Sequence, residues 1–327
     1  MTIDDIEKLV AQEAAEEAPQ LPHTSNEHAS APIERLNDYE SREAPIFFVP
    51  GAGSPLALFA PAAREMVGLT VFGLSYGDSS DALQTAYNLV ASITTVSPDG
   101  PIRFVAFSGG AILLALVLRI LKAAGRHQVL SIAFLDLTPT FYTTRDSTAQ
   151  KSITCPDDAS LEDLYVELLK SALDDPEPAF PSDVLNTLLH KRDAGPGRQS
   201  VESFQCKSRL YFNTLVTIGG DEEADATRIN SALAEIFTNT DGSQPDALFI
   251  RQERGMRLLL PASTSSSFQE DFGLRLILPK AQVVDFEGSH FGQFGSSMKT
   301  VAGGTPSFKS AVPAALAQAI VGHFLRQ

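Results

Sequence analysis

Cysteine, histidine and basic side chains are scarce in this 327-residue chain, and hydrophobic runs are short. The two cysteines, Cys155 and Cys206, are far apart and lack metal-ligand spacing. They cannot form a disulfide framework and read as reduced thiols, which predicts a cytoplasmic protein. Lys and Arg total 25 against 40 Asp and Glu, a net charge of −15. That balance argues against nucleic acid or an anionic membrane as partner. No stretch reaches the roughly 18 apolar residues of a transmembrane helix. The first residues are acidic and lack the apolar region of a secretory signal. Six histidines leave few positions for imidazole chemistry. No metal or cofactor is expected.

With 43% hydrophobic residues, the chain can bury a large core. Its acid is unevenly spread: residues 1–44 hold eleven Asp/Glu and three Lys/Arg, a net of −8. This stretch reads as an acidic leader or linker. Ile3, Ile6, Leu9 and Val10 share one face of a short helix there, a docking element in the sharper reading. Pro19, Pro22 and Pro32 follow. Residues 45–327 read as one α/β domain. Apolar strands are expected at 46–49, 69–74, 102–107 and 129–135. A helix is expected over 81–97, where Leu83, Ala86, Leu89, Val90 and Ile93 recur at helical spacing. Continuous apolar strands alternating with helices imply a mostly parallel sheet covered on both faces. Residues 145–240 break the rhythm, with Leu161, Leu164, Tyr165, Leu168 and Leu169 at helical spacing, and read as an inserted helical lid. Strands resume at 247–251 and 282–286, and a helix closes the chain near 312–325.

The strand at 102–107 runs into Ser108-Gly109-Gly110 and then an apolar helix. A strand turning sharply into a helix at a serine is the nucleophile elbow of the α/β-hydrolase fold, which needs small neighbours around a strained serine. Here the motif is Ala106-x-Ser108-x-Gly110. Serine needs a base within hydrogen-bond reach. His290, in Glu287-Gly-Ser-His290 after the last strand, is the candidate; His127 and His190 are the alternatives. The third group is a carboxylate that orients the imidazole. Asp136, ending the strand after the elbow helix, stands on the same sheet edge as Ser108. Glu253, after the strand at 247–251, competes for that role. Two backbone N–H groups must meet the developing oxyanion. Gly109 should supply one, and Gly51 or Ala52, in the loop after the first strand, the other. Pro50-Gly-Ala-Gly also suggests a dinucleotide loop, but Leu56 occupies the position that needs a small residue.

Four segments resemble the thioesterase domains that end type I fatty acid synthases and related polyketide and non-ribosomal peptide synthetases. They are Ile46–Ser54, Ser97–Gly110, Ala133–Pro139 and Phe286–His290. The resemblance implies release of an acyl chain from a phosphopantetheine thioester, on an acyl carrier protein or CoA, by hydrolysis or cyclisation. Animal fatty acid synthase members look most alike and place the acid early, which favours Asp136 over Glu253. Two departures stand out. Ala106 replaces the first elbow glycine. Gly109 replaces a bulky aromatic, which predicts open space beside the nucleophile. The implied partners are a carrier protein and an upstream synthase domain, with the leader as a docking element. Carrier proteins are usually acidic, as is this chain, so recognition calls for tethering in one polypeptide or a local basic patch. Arg251, Arg254 and Arg257 form one candidate cluster, and ordinary surface solvation is the competing reading of them. A general carboxylesterase or lipase, and a catalytically silent acyl-binding module, are the competing readings.

Overall fold

The computed structural model describes residues 33–52, 54–125, 127–144, 155–174, 182–190, 195–220, 225–256, 266–291, 294, 298–299, 307–308 and 311–325. The chain begins with β1 (Ile33–Arg35), β2 (Ile46–Val49), α1 (Ala60–Glu65) and β3 (Val71–Leu74). Next come α2 (Ala82–Val96), β4 (Gly100–Phe107), α3 (Gly110–Ala124) and β5 (His127–Leu135). Four further helices follow a short α4 (Phe141–Thr144): α5 (Asp158–Leu173), α6 (Ser182–His190), α7 (Gly195–Gly219) and α8 (Ala226–Ile236). The last elements are β6 (Asp246–Arg254), α9 (Ser266–Asp271), β7 (Gln282–Ser289), the small ribbon β8 (Met298–Lys299) and β9 (Ser307–Phe308), and α10 (Ala311–Phe324).

Seven strands form one sheet in the order β1-β3-β2-β4-β5-β6-β7. Every neighbouring pair is parallel except β1 with β3. All of β2 is buried, as is β4 from Ile102 to Phe107. Strands covered on both faces are apolar without alternation. The chain leaves β2 toward β3, then reverses to reach β4 and β5. Right-handed crossovers therefore put α1 on one face and α2 and α3 on the other. α10 packs on α1, and α2 packs on α3. α3 is apolar nearly all round and buried from Gly110 to Leu118, as befits a helix covered on every side. It stops at Gly125, whose left-handed φ of 65° lets its N–H reach the Lys122 carbonyl at 3.0 Å. α2 starts at Asp81, whose carboxylate accepts the Gln84 N–H at 2.9 Å.

Between β5 and β6 the described residues contain helices and no strand. Leu161, Tyr165, Leu168 and Leu169 form the buried stripe of α5. α7 packs against α5 and also against α2 and α3, so the insertion sits on the helical layer next to the elbow helix.

The folded unit reaches further back than residue 45. β1 lies within the stretch read as leader, with Ile33, Glu34 and Arg35 paired to Leu74, Gly73 and Phe72. Buried Asn37 fastens it: Nδ2 donates to the Ala63 and Leu69 carbonyls, both at 2.9 Å, and Oδ1 accepts the Val71 N–H at 3.2 Å. A three-residue strand with two charged members carries no periodic signal, and contacts distant in sequence hold it in place. The helix expected around Ile3–Val10 lies outside the described residues. Among those described, no helix is long and apolar enough to cross a membrane.

Candidate active site

The carboxyl ends of the parallel strands share one edge, and the chain reverses direction beside β2 and β4, where such folds bind ligands. Ser108 follows β4 there. It holds a positive φ of 52° and is half-buried, with its N–H donated to the Leu135 carbonyl at 3.0 Å. α3 begins at once, with the Ala111 N–H reaching the Ser108 carbonyl at 3.0 Å. The turn is possible because its surroundings lack side chains. A Cβ on Gly51 would lie 2.6 Å from Ser108 Cβ and 3.2 Å from its Oγ. One on Gly110 would lie 2.6 Å from the Val49 carbonyl oxygen. Ala106, in place of the first glycine, is buried between β2 and β5, opposite Val49 and Phe134. Gly109 is the N-cap of α3, where backbone N–H groups have no acceptor within the helix. Gly51 and Ala52 are both buried beside Ser108.

Asp136 follows β5 at a φ of 57°, fully buried, with its N–H donated to the Ile250 carbonyl at 2.8 Å. Its carboxylate sits in a cradle made by the end of β6. Oδ1 accepts the Gln252 N–H at 3.0 Å, and Oδ2 accepts the Met256 N–H at 2.9 Å. The register of β6 against β7 shifts between Gln252 and Arg254. Such an irregularity bends a strand end, here around the carboxylate. Gly255 closes the cradle so tightly that any side chain on it would overlap the Asp136 carboxylate.

His290 follows β7, and its Nδ1 lies 2.6 Å from Asp136 Oδ2. A carboxylate can only accept, so this contact places the proton on Nδ1. The ring is 1% exposed. It stacks on Phe107, the residue before Ser108, with centroids 4.6 Å apart and planes at 28°. Phe291 meets it edge-on at 5.0 Å. Phe294 and Phe59 pack in turn on Phe107. Ser108, Asp136 and His290 thus occupy one sheet edge.

The space expected beside Gly109 is filled, and that expectation is corrected. The Tyr211 ring, on α7, lies against Gly109 where a side chain would project. Its hydroxyl is 2.7 Å from that of Tyr76, which donates to the Pro50 carbonyl at 2.6 Å. Burial pushes both phenols above their ordinary range, and for Tyr211 the neighbouring Tyr76 adds to it.

Glu253 lies within β6 and is exposed, while its strand supplies the N–H donors to Asp136. His127 starts β5, at the end opposite Asp136, and His190 is exposed on α6. Arg251 is bound to Asp285 through two bonds of 2.6 and 2.9 Å, and Arg254 to the Asp174 carbonyl at 3.3 Å. Arg257 lies outside the described residues. Among those residues, no group of three or more His, Cys, Asp or Glu could hold a metal ion. Sequence reasoning missed Gln252, Gly255, Met256, Tyr76 and Tyr211. Only Gly255, a glycine directly after the polar end of β6, left a local signal.

No protein-family model matches the chain, and no curated protein matches it in sequence. Solved structures do match. One is a four-domain nonribosomal peptide synthetase in its holo form with AMP and glycine, at TM-score 0.52 and 16% identity, covering 93% of this chain and 21% of that one. The chain therefore spans about a fifth of that synthetase. Another is YbtT, a type II thioesterase from the yersiniabactin pathway, at TM-score 0.51 and 15% identity, covering 90% and 98%. The likeness shows the fold, which is that of the α/β-hydrolases.

Proposed function

We propose that this protein is a serine thioesterase that releases an acyl chain from a phosphopantetheine thioester, carried on an acyl carrier protein or on CoA. The observation that carries the reading is the buried 2.6 Å Asp136–His290 contact, on the same sheet edge as a serine held at positive φ. Strain of that kind persists only where the surroundings enforce it, and it clusters at functional sites.

In this reading Ser108 Oγ attacks the thioester carbonyl, and His290 Nε2 takes its proton. Asp136 holds Nδ1–H and stabilises the imidazolium without accepting the proton itself. The oxyanion is met by the Gly109 N–H and by an N–H from Gly51 or Ala52. Collapse breaks the C–S bond, and His290 returns the proton to the departing thiolate. Water, or an internal nucleophile of the acyl chain, then gives its proton to His290 and attacks the acyl-serine. Collapse of this second intermediate breaks the bond between the acyl carbon and Ser108 Oγ, and His290 returns the proton to Oγ. The products are the free serine and a free acid or a ring.

A carrier domain is usually acidic, and this chain carries −15, so long-range attraction would not bring the two together. Arg251 and Arg254 are already engaged within the domain. Tethering in one polypeptide, or docking through residues 1–32, is the more economical route.

The test is steady-state hydrolysis of short, medium and long acyl-CoA thioesters beside matched oxygen esters, with Ser108→Ala as control. Serine-dependent turnover favouring thioesters is expected. Preference for the oxygen ester would move the protein to the carboxylesterases. Full activity in Ser108→Ala would overturn the mechanism.

A further inference from the structure

Ser203, Lys207 and Tyr211 are spaced by four along α7 and so share one face of that helix. That face grips the loop after β3. Ser203 Oγ donates to Asp78 at 2.8 Å, and Lys207 Nζ lies 3.8 Å from the same carboxylate. Lys207 also stands 5.3 Å over the Tyr76 ring. Nearby, Asn213 Nδ2 donates to the Ser80 carbonyl at 2.8 Å. Tyr211 ends the row with its ring against Gly109. Because Tyr76 donates to Pro50, Tyr211 must donate to Tyr76. A one-way chain of hydroxyls thus runs from the inserted helix to the carbonyl just before Gly51 and Ala52.

We propose that Tyr211 is a specificity-determining and positioning residue borne by the inserted helices. Its ring is the wall beside the reacting acyl group, and its hydroxyl, through Tyr76, holds the Pro50–Ala52 loop in register with Ser108. The proposal rests on the thioesterase reading above. An elbow with Gly109 has no wall of its own, so the wall comes from α7 and selects against branching next to the acyl carbonyl. A rigid, buried phenol cannot yield to an added methyl as a solvated side chain would.

The experiment compares straight-chain and α-branched acyl-CoA thioesters of equal carbon number, beside matched oxygen esters. Each is assayed with wild type, Tyr211→Phe, Tyr211→Leu and Tyr211→Ala. Removing the ring should raise the branched-to-straight ratio of kcat/KM by about tenfold or more, the scale of one methyl group in a tight pocket. Tyr211→Phe keeps the ring and should keep the wild-type ratio, while kcat falls for both substrates. Tyr211→Leu reads the same ratio should the alanine variant fail to fold. Thermal melts complete a double-mutant cycle. Gly109→Ala should lower Tm in the wild type, and Tyr211→Ala should relieve that loss. An unchanged ratio in Tyr211→Ala and Tyr211→Leu, with wild type active on thioesters, sinks this proposal alone. Equal damage by Gly109→Ala with or without the ring removes its steric basis. Wild type inactive on both thioesters and oxygen esters sinks the functional reading instead, a result the melts do not share.

Discussion

Among the described residues, three besides glycine hold positive φ: Ser108 at 52°, Asp136 at 57° and Phe272 at 51°. A left-handed φ costs a residue with a Cβ roughly 1–2 kcal/mol, so neighbours must enforce each one. Ser108 is held by β5 and Asp136 by β6 through their own N–H groups. Phe272 is fully buried, and its carbonyl accepts the hydroxyls of Thr138 and Thr140 at 2.9 and 2.8 Å, just beyond Asp136. Asp136→Asn should lower kcat on the order of 10,000-fold, because the amide favours the wrong imidazole tautomer. Exposed Glu253→Gln should leave kcat unchanged. The opposite ranking in steady-state kinetics would place the acid on β6. Gly255→Ala forces a methyl into the space of the Asp136 carboxylate. It should lower kcat about 100-fold, the cost of misplacing a reacting group by an ångström, with KM less affected.

At the scale of elements, the strand-to-helix turn at Ser108 works because α3 starts in direct contact with the end of β2. Gly110 is the contact point, lying under the Val49 and Pro50 carbonyls. Gly110→Ala should therefore destabilise the fold by about 1–3 kcal/mol, the usual cost of overpacking a tight core. Denaturant titration measures this, and an unchanged midpoint would mean that α3 can shift freely. The strands at the centre of the sheet were legible because burial on both faces leaves an unbroken apolar run, as in Ile46–Val49. β1 was not legible, because an edge strand of Ile-Glu-Arg relies on pairing with β3 and on Asn37. α5 showed its buried stripe in sequence. What α7 covers did not show, since its face toward the 76–80 loop is polar and aromatic rather than a plain apolar stripe.

For the whole molecule, one place where the inserted helices meet the sheet core is the pair of half-buried Tyr76 and buried Tyr211, which gives a pH dependence with a definite sign. Burial raises both phenols above the ordinary 10.0. The folded state therefore keeps protons that the unfolded chain loses, and the pair's contribution is fully present below pH 10.0. That contribution declines as pH rises further, toward the folded-state values. Tm should stay flat across neutral pH and fall more steeply above that point in the wild type than in Tyr76→Phe/Tyr211→Phe. Parallel alkaline limbs would show that the pair does not titrate with unfolding. From sequence alone one could read an α/β sheet, an elbow serine, an acid after the next strand and a histidine after the last. Each of these stands at a strand end, and strand ends are set by local runs of apolar residues. Tertiary structure alone decided that the end of β6 cradles Asp136 by backbone N–H groups, and that a tyrosine about a hundred residues away covers Gly109. Backbone donors carry no residue signature, and an aromatic on an inserted helix finds its partner only when the helices pack.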